Sequence, residues 1–330
     1  MNHEHVVVRR GARSGLPVIV AVHSTTLGPA LGGLRLKPYA GWRDGLDDAL
    51  RLSAAMTAKC AVAGLAHGGG KTVVPLPRGA DPGAEVRSAV LRDAGDVIES
   101  LGGAYATGPD VGTGPDDMAV VGERTRQVFC RPERAGGSGD SSPATATGVM
   151  AALRVLGGES FAVVGLGHVG ADVAGRLLAA GHRVLVSDVD DGKRALFPAA
   201  EWVAPEAILG AEVDVLVPAA LGGLLTPDTV PRLRCRAVAG PANNQLDAPA
   251  TARLLHARGI VWAPDHVVSA GGVVYATEVE LHGATPAAAT ARVETIGDTL
   301  RRLLAAAQAN GTTPAAEADA LARARLGAPR

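Results

Sequence analysis

The sequence predicts an α/β protein of two domains, and three observations carry that expectation. From residue 144 onward, short apolar runs alternate with segments of helical period: a helix over 144–157, then FAVV, a helix over 168–181, RVLVSD, VDVLVP and AVAG. That alternation is the pattern of a parallel, doubly wound sheet. Upstream, a separate set of strands and helices precedes it, and PERAGGSGDSS (132–142) lies between the two sets as a glycine- and serine-rich hinge.

Each element has its own reason. VIVAVHS (18–24) is a short apolar strand. Residues 43–59 take helical spacing, because Leu46, Ala49, Leu50, Ser53 and Met56 recur every three or four positions, with Lys59 three residues further on the same face. TVVPLP (72–77) is a buried-type strand stopped by proline, 84–101 is a second helix, and GAYATGPDVGT (103–113) reads as strand then loop. The expected domains are a mixed α/β domain over 1–135, a doubly wound domain over 136–285, and C-terminal helices over 286–330 packing back on the first.

Composition removes several function classes. With 32 basic and 33 acidic residues in 330, there is no electrostatic case for nucleic acid or an anionic membrane surface. No apolar run approaches the roughly 20 residues that span a bilayer, and MNHEHVVVRR lacks the core of a signal peptide, so a cytoplasmic protein is expected. Cys60, Cys130 and Cys235 fit neither a disulfide framework nor a metal motif and read as reduced structural thiols; no metal is expected.

The stretch GLAHGGGKTVV (64–74) suggests a phosphate-binding loop, G-x-x-x-x-G-K-[ST], but Leu65 stands where that pattern needs glycine, and a helix precedes it where a strand is required. FAVVGLGHVG meets its template better. Gly165, Gly167 and Gly170 follow a strand and open a helix, and Asp188 ends the next strand about 20 residues on. The glycines serve a tight turn, close approach of a pyrophosphate and helix packing, and the helix N-terminus favours phosphate. Asp188 can accept from both ribose hydroxyls and repels a 2′-phosphate, so NAD is expected over NADP, with Lys193 and Arg194 as ordinary surface charges. Given NAD, Lys59, Lys71 and Asp110 can converge in one hydride-transfer site of the first domain. Two ammonium groups close together, and burial, push one lysine towards neutrality, where it can move protons. The three glycines are expected to form a loop that lets substrate lie against bare backbone.

Across most of its length the chain resembles the leucine, valine and phenylalanine dehydrogenases of the superfamily that includes glutamate dehydrogenase. The resemblance is carried by TTLGPALGGLR (25–35), DDALRLSAAMTAKCAVAGLAHGGGKTVV (47–74), YATGPDVGT (105–113), GGSGDSSPATATGV (136–149), VVGLGHVG, PAALGG (218–223), AGPANNQL (239–246) and GIVWAPDHVVSAGGV (259–273), in the family's order. It implies a substrate domain and a Rossmann NAD-binding domain with a deep cleft between them, assembled as a homo-oligomer, dimer or higher. It implies oxidative deamination of an L-amino acid to a 2-oxo acid and ammonia, and the reverse amination. Lys59 would bind the substrate carboxylate, with the Gly32–Gly33 backbone and Asn243. Lys71 would activate the attacking water, and Asp110 would shuttle a proton from the substrate ammonium. Thr145 would hold the nicotinamide carboxamide, with Arg35, Ala219, Asn243 and Asn244 along the cofactor and Gly165, Leu166, Gly167, His168, Val169, Gly170, Asp188 and Val189 around its phosphates and ribose.

The implied side-chain pocket, Leu31, Met56, Pro109, Val273 and Ala276, is apolar, and a charged side chain would be unpaired there. A hydrophobic amino acid is therefore expected, with an aromatic or other bulky one slightly preferred over leucine or valine. The chain departs from the family in its short N-terminus, in a shortened 188–206 segment, and in Ser269, which stands for the Asn of N-A-G-G. Two other readings use the same residues: a reductive aminase for an unusual 2-oxo acid, and a non-catalytic NAD-binding protein. The joint presence of Lys59, Lys71 and Asp110 speaks against the second.

Overall fold

The computed structural model describes residues 2–79 and 82–327. The chain divides into two compact units, Met1–Ser141 with Ala276–Thr285 and Leu321–Arg330, and Ser142–Tyr275 with Pro286–Ala320. The first unit is a five-stranded mixed sheet of β1 (His5–Arg10), β2 (Pro17–Ser24), β3 (Ala30–Pro38), β4 (Gly68–Leu76) and β5 (Tyr105–Pro109), in the order β1-β2-β4-β3-β5. β2 runs antiparallel to β1 and β4, whereas β3 is parallel to both β4 and β5.

Alternation along each strand assigns the two faces. Val18, Val20, Val22, Leu34 and Val74 pack against Val90, Leu91 and Ala94 of helix α2 (Gly83–Glu99). Ile19, Ala21 and Val73 point the other way, onto Ala49 of helix α1 (Trp42–Ala63). The buried stripe of α1 runs through Gly45, Ala49, Leu52, Ser53, Thr57 and Cys60, turned slightly from the stripe expected from Leu46, Leu50 and Met56, which are half-buried. Left-handed Gly64 (φ 72°) ends α1, as helix C-termini favour. A short helix α3 (Pro115–Gly122) follows β5.

Four strands escape the sequence reading: the two-residue strands Glu201–Trp202 and Val261–Trp262 of the second unit, and β1 and β3 here. β1 has only three valines between His5 and two arginines, and β3 carries Gly32 and Gly33 in its middle. The expected glycine loop is also a strand: Gly68, Gly69 and Gly70 are the buried start of β4. Each lies where a side chain has no room. A Cβ on Gly68 would sit 1.7 Å from the Ser24 carbonyl oxygen, on Gly69 2.0 Å from the Thr57 amide nitrogen, and on Gly70 2.4 Å from the Tyr105 ring. The triplet brings β4 against β2, α1 and Tyr105.

The second unit holds six parallel strands: β6 (Ser160–Val164), β7 (Arg183–Ser187), β8 (Glu201–Trp202), β9 (Val215–Pro218), β10 (Ala237–Val238) and β11 (Val261–Trp262), ordered β11-β10-β9-β6-β7-β8. The order reverses between β6 and β9, the switch point at which such sheets bind ligands. α4 (Ser142–Leu156) and α5 (His168–Ala179) contribute to one core layer, and α6 (Ala250–Ala257) to the other; the short α7 (Asp265–Val268) and α8 (Gly271–Ala276) follow.

The domain boundaries differ from those expected. α9 (Pro286–Asn310) packs on α4 within the second unit, through Val293, Ile296, Leu300 and Leu303, and only the end of α10 (Pro314–Gly327) belongs to the first. The reason is local: Gly148 of α4 leaves a space filled by Ile296, whose Cδ1 would lie 2.7 Å from a Cβ there. Residues 276–285, expected in the second domain, belong to the first unit.

Candidate active site

The charged residues of the first unit meet on the α1 side of its sheet. β3 lies between β4 and β5, and Leu31, Gly33 and Arg35 alternate onto the face opposite the Leu34 core. Lys71 of β4 shares that face with Val73. Its Nζ reaches across β3 to Asp110, just past β5, and lies 2.9 Å from Oδ2. Gly33 makes the crossing possible, because a Cβ there would sit 2.7 Å from Asp110 Cβ and 3.2 Å from Lys71 Nζ. Gly32 faces the opposite way, where a Cβ would meet the Gly70 carbonyl oxygen at 1.8 Å. The Asp110 turn is fixed by the Thr113 hydroxyl, which accepts from the Asp110 amide at 2.9 Å and donates to the Leu34 carbonyl at 2.8 Å.

Arg35, expected along the cofactor, lies in the first unit. Its Nε donates to Asp110 Oδ2 at 2.6 Å and its Nη1 to Asp48 Oδ2 at 2.9 Å, so it bridges two carboxylates inside the first unit. The Tyr39 hydroxyl donates to Asp48 Oδ2 and Arg51 to Asp48 Oδ1, both at 2.6 Å. Asp48, Tyr39 and Arg51 were not singled out from sequence. The usable clue was the parity of a strand through ALGGLRLKP, which puts Arg35 and Gly33 on one face.

These contacts set the protonation states. Burial lowers Lys71 below the ordinary lysine value; the Asp110 charge opposes this, and Arg35 adds to it. The opposing cation is thus Arg35, where Lys59 had been expected. Burial alone would raise Asp110, but the charges of Lys71 and Arg35 and their hydrogen bonds outweigh it and hold the carboxyl at about 2. The site therefore joins a buried amine that sheds its proton more readily than usual to a carboxylate held ionised.

Lys59 is half-buried near the end of α1, as is Met56 one turn earlier. The residues expected as a side-chain pocket divide between the units. Leu31, Met56, Pro109 and Ala276 belong to the first, with Leu31 and Ala276 buried, and Val273 belongs to the second. His67 is buried, its Nδ1 donating to the Pro29 carbonyl at 3.0 Å, and it stacks on His282 with ring centroids 5.6 Å apart. Cys60, Cys130 and Cys235 are free thiols; burial pushes Cys60 and Cys130 up to about 12, which leaves them inert.

In the second unit the glycine turn has the form its spacing predicts. Gly165 (φ +100°) turns the chain at the end of β6, and Gly170 packs with a would-be Cβ 2.0 Å from the Gly165 carbonyl oxygen and 2.9 Å from Ala219 Cβ. At Gly167, the N-cap of α5, a Cβ would meet nothing within 4 Å. A turn closed on its protein side and open at the helix N-terminus fits a pyrophosphate. Leu166 turns its side chain into the core, Val169 packs against that core, and His168 is exposed. Asp188 Oδ2 accepts from the Leu166 amide at 2.6 Å and from Lys193 Nζ at 3.0 Å, and Oδ1 accepts from the Asp190 amide at 3.0 Å. Burial opposes the ionised form, but these donors keep Asp188 below the usual carboxylate range. Lys193 is thus a partner of Asp188 and no ordinary surface charge, while Val189 beside it is 92% exposed. Thr145 lies in the first turn of α4. Ser269, in the place of the family's Asn, donates to Asn243 Oδ1 at 3.3 Å, and Asn244 takes a left-handed conformation (φ 54°), so this loop is locally constrained. Among the described residues no group of three or more His, Cys, Asp or Glu could hold a metal ion, and no helix is long and apolar enough to cross a membrane.

Compared with known proteins, the chain matches the model of the Glu/Leu/Phe/Val dehydrogenase, dimerisation domain, over residues 3–127, and that of Glutamate/Leucine/Phenylalanine/Valine dehydrogenase over residues 189–313. A leucine dehydrogenase from Thermoactinomyces intermedius is 38% identical, the match covering 98% of this chain and 91% of that one. A phenylalanine dehydrogenase from Lysinibacillus sphaericus is 40% identical over 86% of this chain and 77% of its own. Among solved structures, L-tryptophan dehydrogenase from Nostoc punctiforme superposes with a TM-score of 0.82 at 33% identity, covering 98% of this chain and 96% of that one.

Proposed function

The chain belongs to the Glutamate/Leucine/Phenylalanine/Valine dehydrogenase family and is an amino-acid dehydrogenase, and from that premise we propose that it oxidatively deaminates a hydrophobic L-amino acid with NAD and runs the reverse amination. The observation that carries this reading is the buried Lys71–Asp110 pair spanning bare Gly33. Lys59 and the Gly32–Gly33 backbone hold the substrate carboxylate. Asp110, ionised at neutral pH, takes a proton from the substrate ammonium and leaves the free amine from which hydride can depart. Bound at the Gly165–Gly170 turn, NAD supplies the acceptor for that hydride. Lys71, its proton loosened by burial, then removes a proton from the water that attacks the iminium carbon, and as an ammonium it polarises the carbonyl that forms. Asp110 returns its proton to the amine, which takes up the carbinolamine's hydroxyl proton as it departs, so that the 2-oxo acid and an ammonium ion leave and Lys71 gives its extra proton to water.

Asp188 supports the choice of NAD, since a carboxylate at this position repels a 2′-phosphate. The apolar character of Leu31, Met56, Pro109 and Ala276 in the first unit, and of Val273 in the second, supports a hydrophobic substrate, because none of them could pair a charged side chain. Relatives named for leucine, phenylalanine and L-tryptophan bracket the choice, and Ala276, small, favours a bulky aromatic side chain. The match to a dimerisation domain over 3–127 supports a homo-oligomer, and cytoplasmic action suits the free thiols. A panel of L-amino acids with NAD, followed at the NADH absorbance, tests the reading. Turnover is expected with hydrophobic substrates, fastest with aromatic ones. Lys71→Ala should abolish it while sparing NADH affinity, and Asp188→Ala should weaken NADH binding while sparing the bound-state chemistry. Silence across the whole panel would contradict the proposal.

A further inference from the structure

Arg35 has no part in the chemistry just described, yet it approaches Asp110 more closely than Lys71 does. Its Nε lies 2.6 Å from Oδ2, and Lys71 Nζ lies 2.9 Å from the same oxygen. Among the described residues no donor is recorded on Asp110 Oδ1. The other arm of Arg35 is tied to Asp48, which is itself held by Tyr39 and Arg51. A guanidinium bridging two carboxylates, 13% exposed and with its far partner doubly fastened, is a built feature.

We propose that Arg35 is a positioning residue for proton transfer: by neutralising Asp110 through Oδ2 it releases Lys71 from the role of counter-ion and leaves Oδ1 as the oxygen that takes the substrate's proton. The inference rests on the reading of Lys71 and Asp110 as the proton-handling pair. Its physics is direct. A carboxylate beside a single ammonium pins the proton on the amine, since each charge stabilises the other. A guanidinium cannot give up its proton, so a carboxylate already paired with one has less hold on a second cation, which meets a like charge as well. With Lys71 neutral, Arg35 and the exposed Arg51 balance Asp110 and Asp48, and the cluster carries no net charge. The other charged or titratable groups on the surrounding elements are Lys59, buried Cys60 and exposed Arg43, Asp44 and Asp47 on α1, Lys37 on β3 over the Tyr39 ring, His23 on β2 bonded to Thr57, and Tyr105 on β5, which lies on the opposite face bonded to Thr72. Lysine cannot replace Arg35 fully, because it lacks the fork that spans two carboxylates and can itself lose its proton.

The test is the pH dependence of kcat/KM for amino-acid oxidation by the full chain, from about pH 6 to about pH 10, in wild type, Arg35→Met and Arg35→Lys. Without Arg35 the Asp110 charge holds the Lys71 proton more tightly, so the neutral amine is reached only at higher pH. The acidic limb in Arg35→Met should therefore move up by about one unit or more, with roughly tenfold lost activity per unit near neutrality and recovery at high pH. Arg35→Lys should shift it less. Loss equal at every pH, with the limb in its wild-type place, overturns the inference and reduces Arg35 to structural support. Should Arg35→Met fail to fold, the Lys variant decides: a limb moved upward supports the inference and an unmoved limb overturns it. If Lys71→Ala keeps its turnover, the assignment of the pair itself has failed, an outcome separate from anything Arg35 does.

Discussion

Glycine does opposite things in the two units. At the start of β4 and in the middle of β3, Gly32, Gly68, Gly69 and Gly70 are required by neighbouring protein atoms, and Gly33 by the ion pair that crosses it. At the N-cap of α5, Gly167 borders open space. In the first unit glycine lets the protein reach its own groups; in the second it leaves open space at a helix N-terminus. The acids differ in the same sense. Asp110 is held ionised mainly by the cations Lys71 and Arg35, whereas Asp214 of the second unit is held at about 2 first by the Glu159 amide and then by the Ser160 hydroxyl and amide.

The contrast is broken most sharply by adding one methyl group to each unit. Gly33→Ala should force Lys71 and Asp110 apart and cost on the order of a hundredfold in turnover, since displacements near 1 Å have that effect. Overpacking should also lower stability by about 1–3 kcal/mol; NADH formation and a denaturant melt read the two. Gly167→Ala has an extended backbone at φ −70° and room for the methyl. It should leave the melt within about 0.5 kcal/mol of wild type and raise the dissociation constant for NADH, measured by fluorescence.

The acids give a smaller effect of known sign. Asp110 titrates at about 2 in the fold and near 4 in the unfolded chain, so the stability it contributes is complete above about pH 4 and is lost as pH falls towards 2. That contribution is of order 2 kcal/mol, and denaturation curves between neutral pH and about pH 3 should show it shrinking. Added salt should leave the Asp110 part of the slope nearly unchanged, because its ion pairs with Lys71 and Arg35 are buried and little screened. Least of all should follow from Lys193→Met, which removes a partly exposed cation from Asp188 while the Leu166 and Asp190 amides still hold the carboxylate: less than about 1 kcal/mol in stability.

Most of the second unit was legible in the sequence because β6, β7, β9 and β10 lie in apolar runs and its glycine turn follows a fixed spacing, both local features, whereas the two-residue β8 and β11 gave no pattern to read. Lys71 and Asp110 were legible too, through the family's motifs. What escaped depended on strand parity and on packing between distant segments. β3 was hidden by two glycines, so Arg35 could not be seen on the face of Lys71, and GGGK looked like a loop because glycine usually marks one. α9 carries an apolar stripe that two domains could receive, and the space beside Gly148 that receives it is a property of the folded α4.

The most direct measurement is the turnover of Asp110→Asn on the best L-amino acid of the panel, with NADH affinity measured alongside. An amide keeps the shape of the carboxylate and removes its capacity to take a proton. Turnover should fall by at least roughly a hundredfold with NADH affinity unchanged. Turnover within a few-fold of wild type would contradict the view that the pair across Gly33 moves the protons of an amino-acid oxidation.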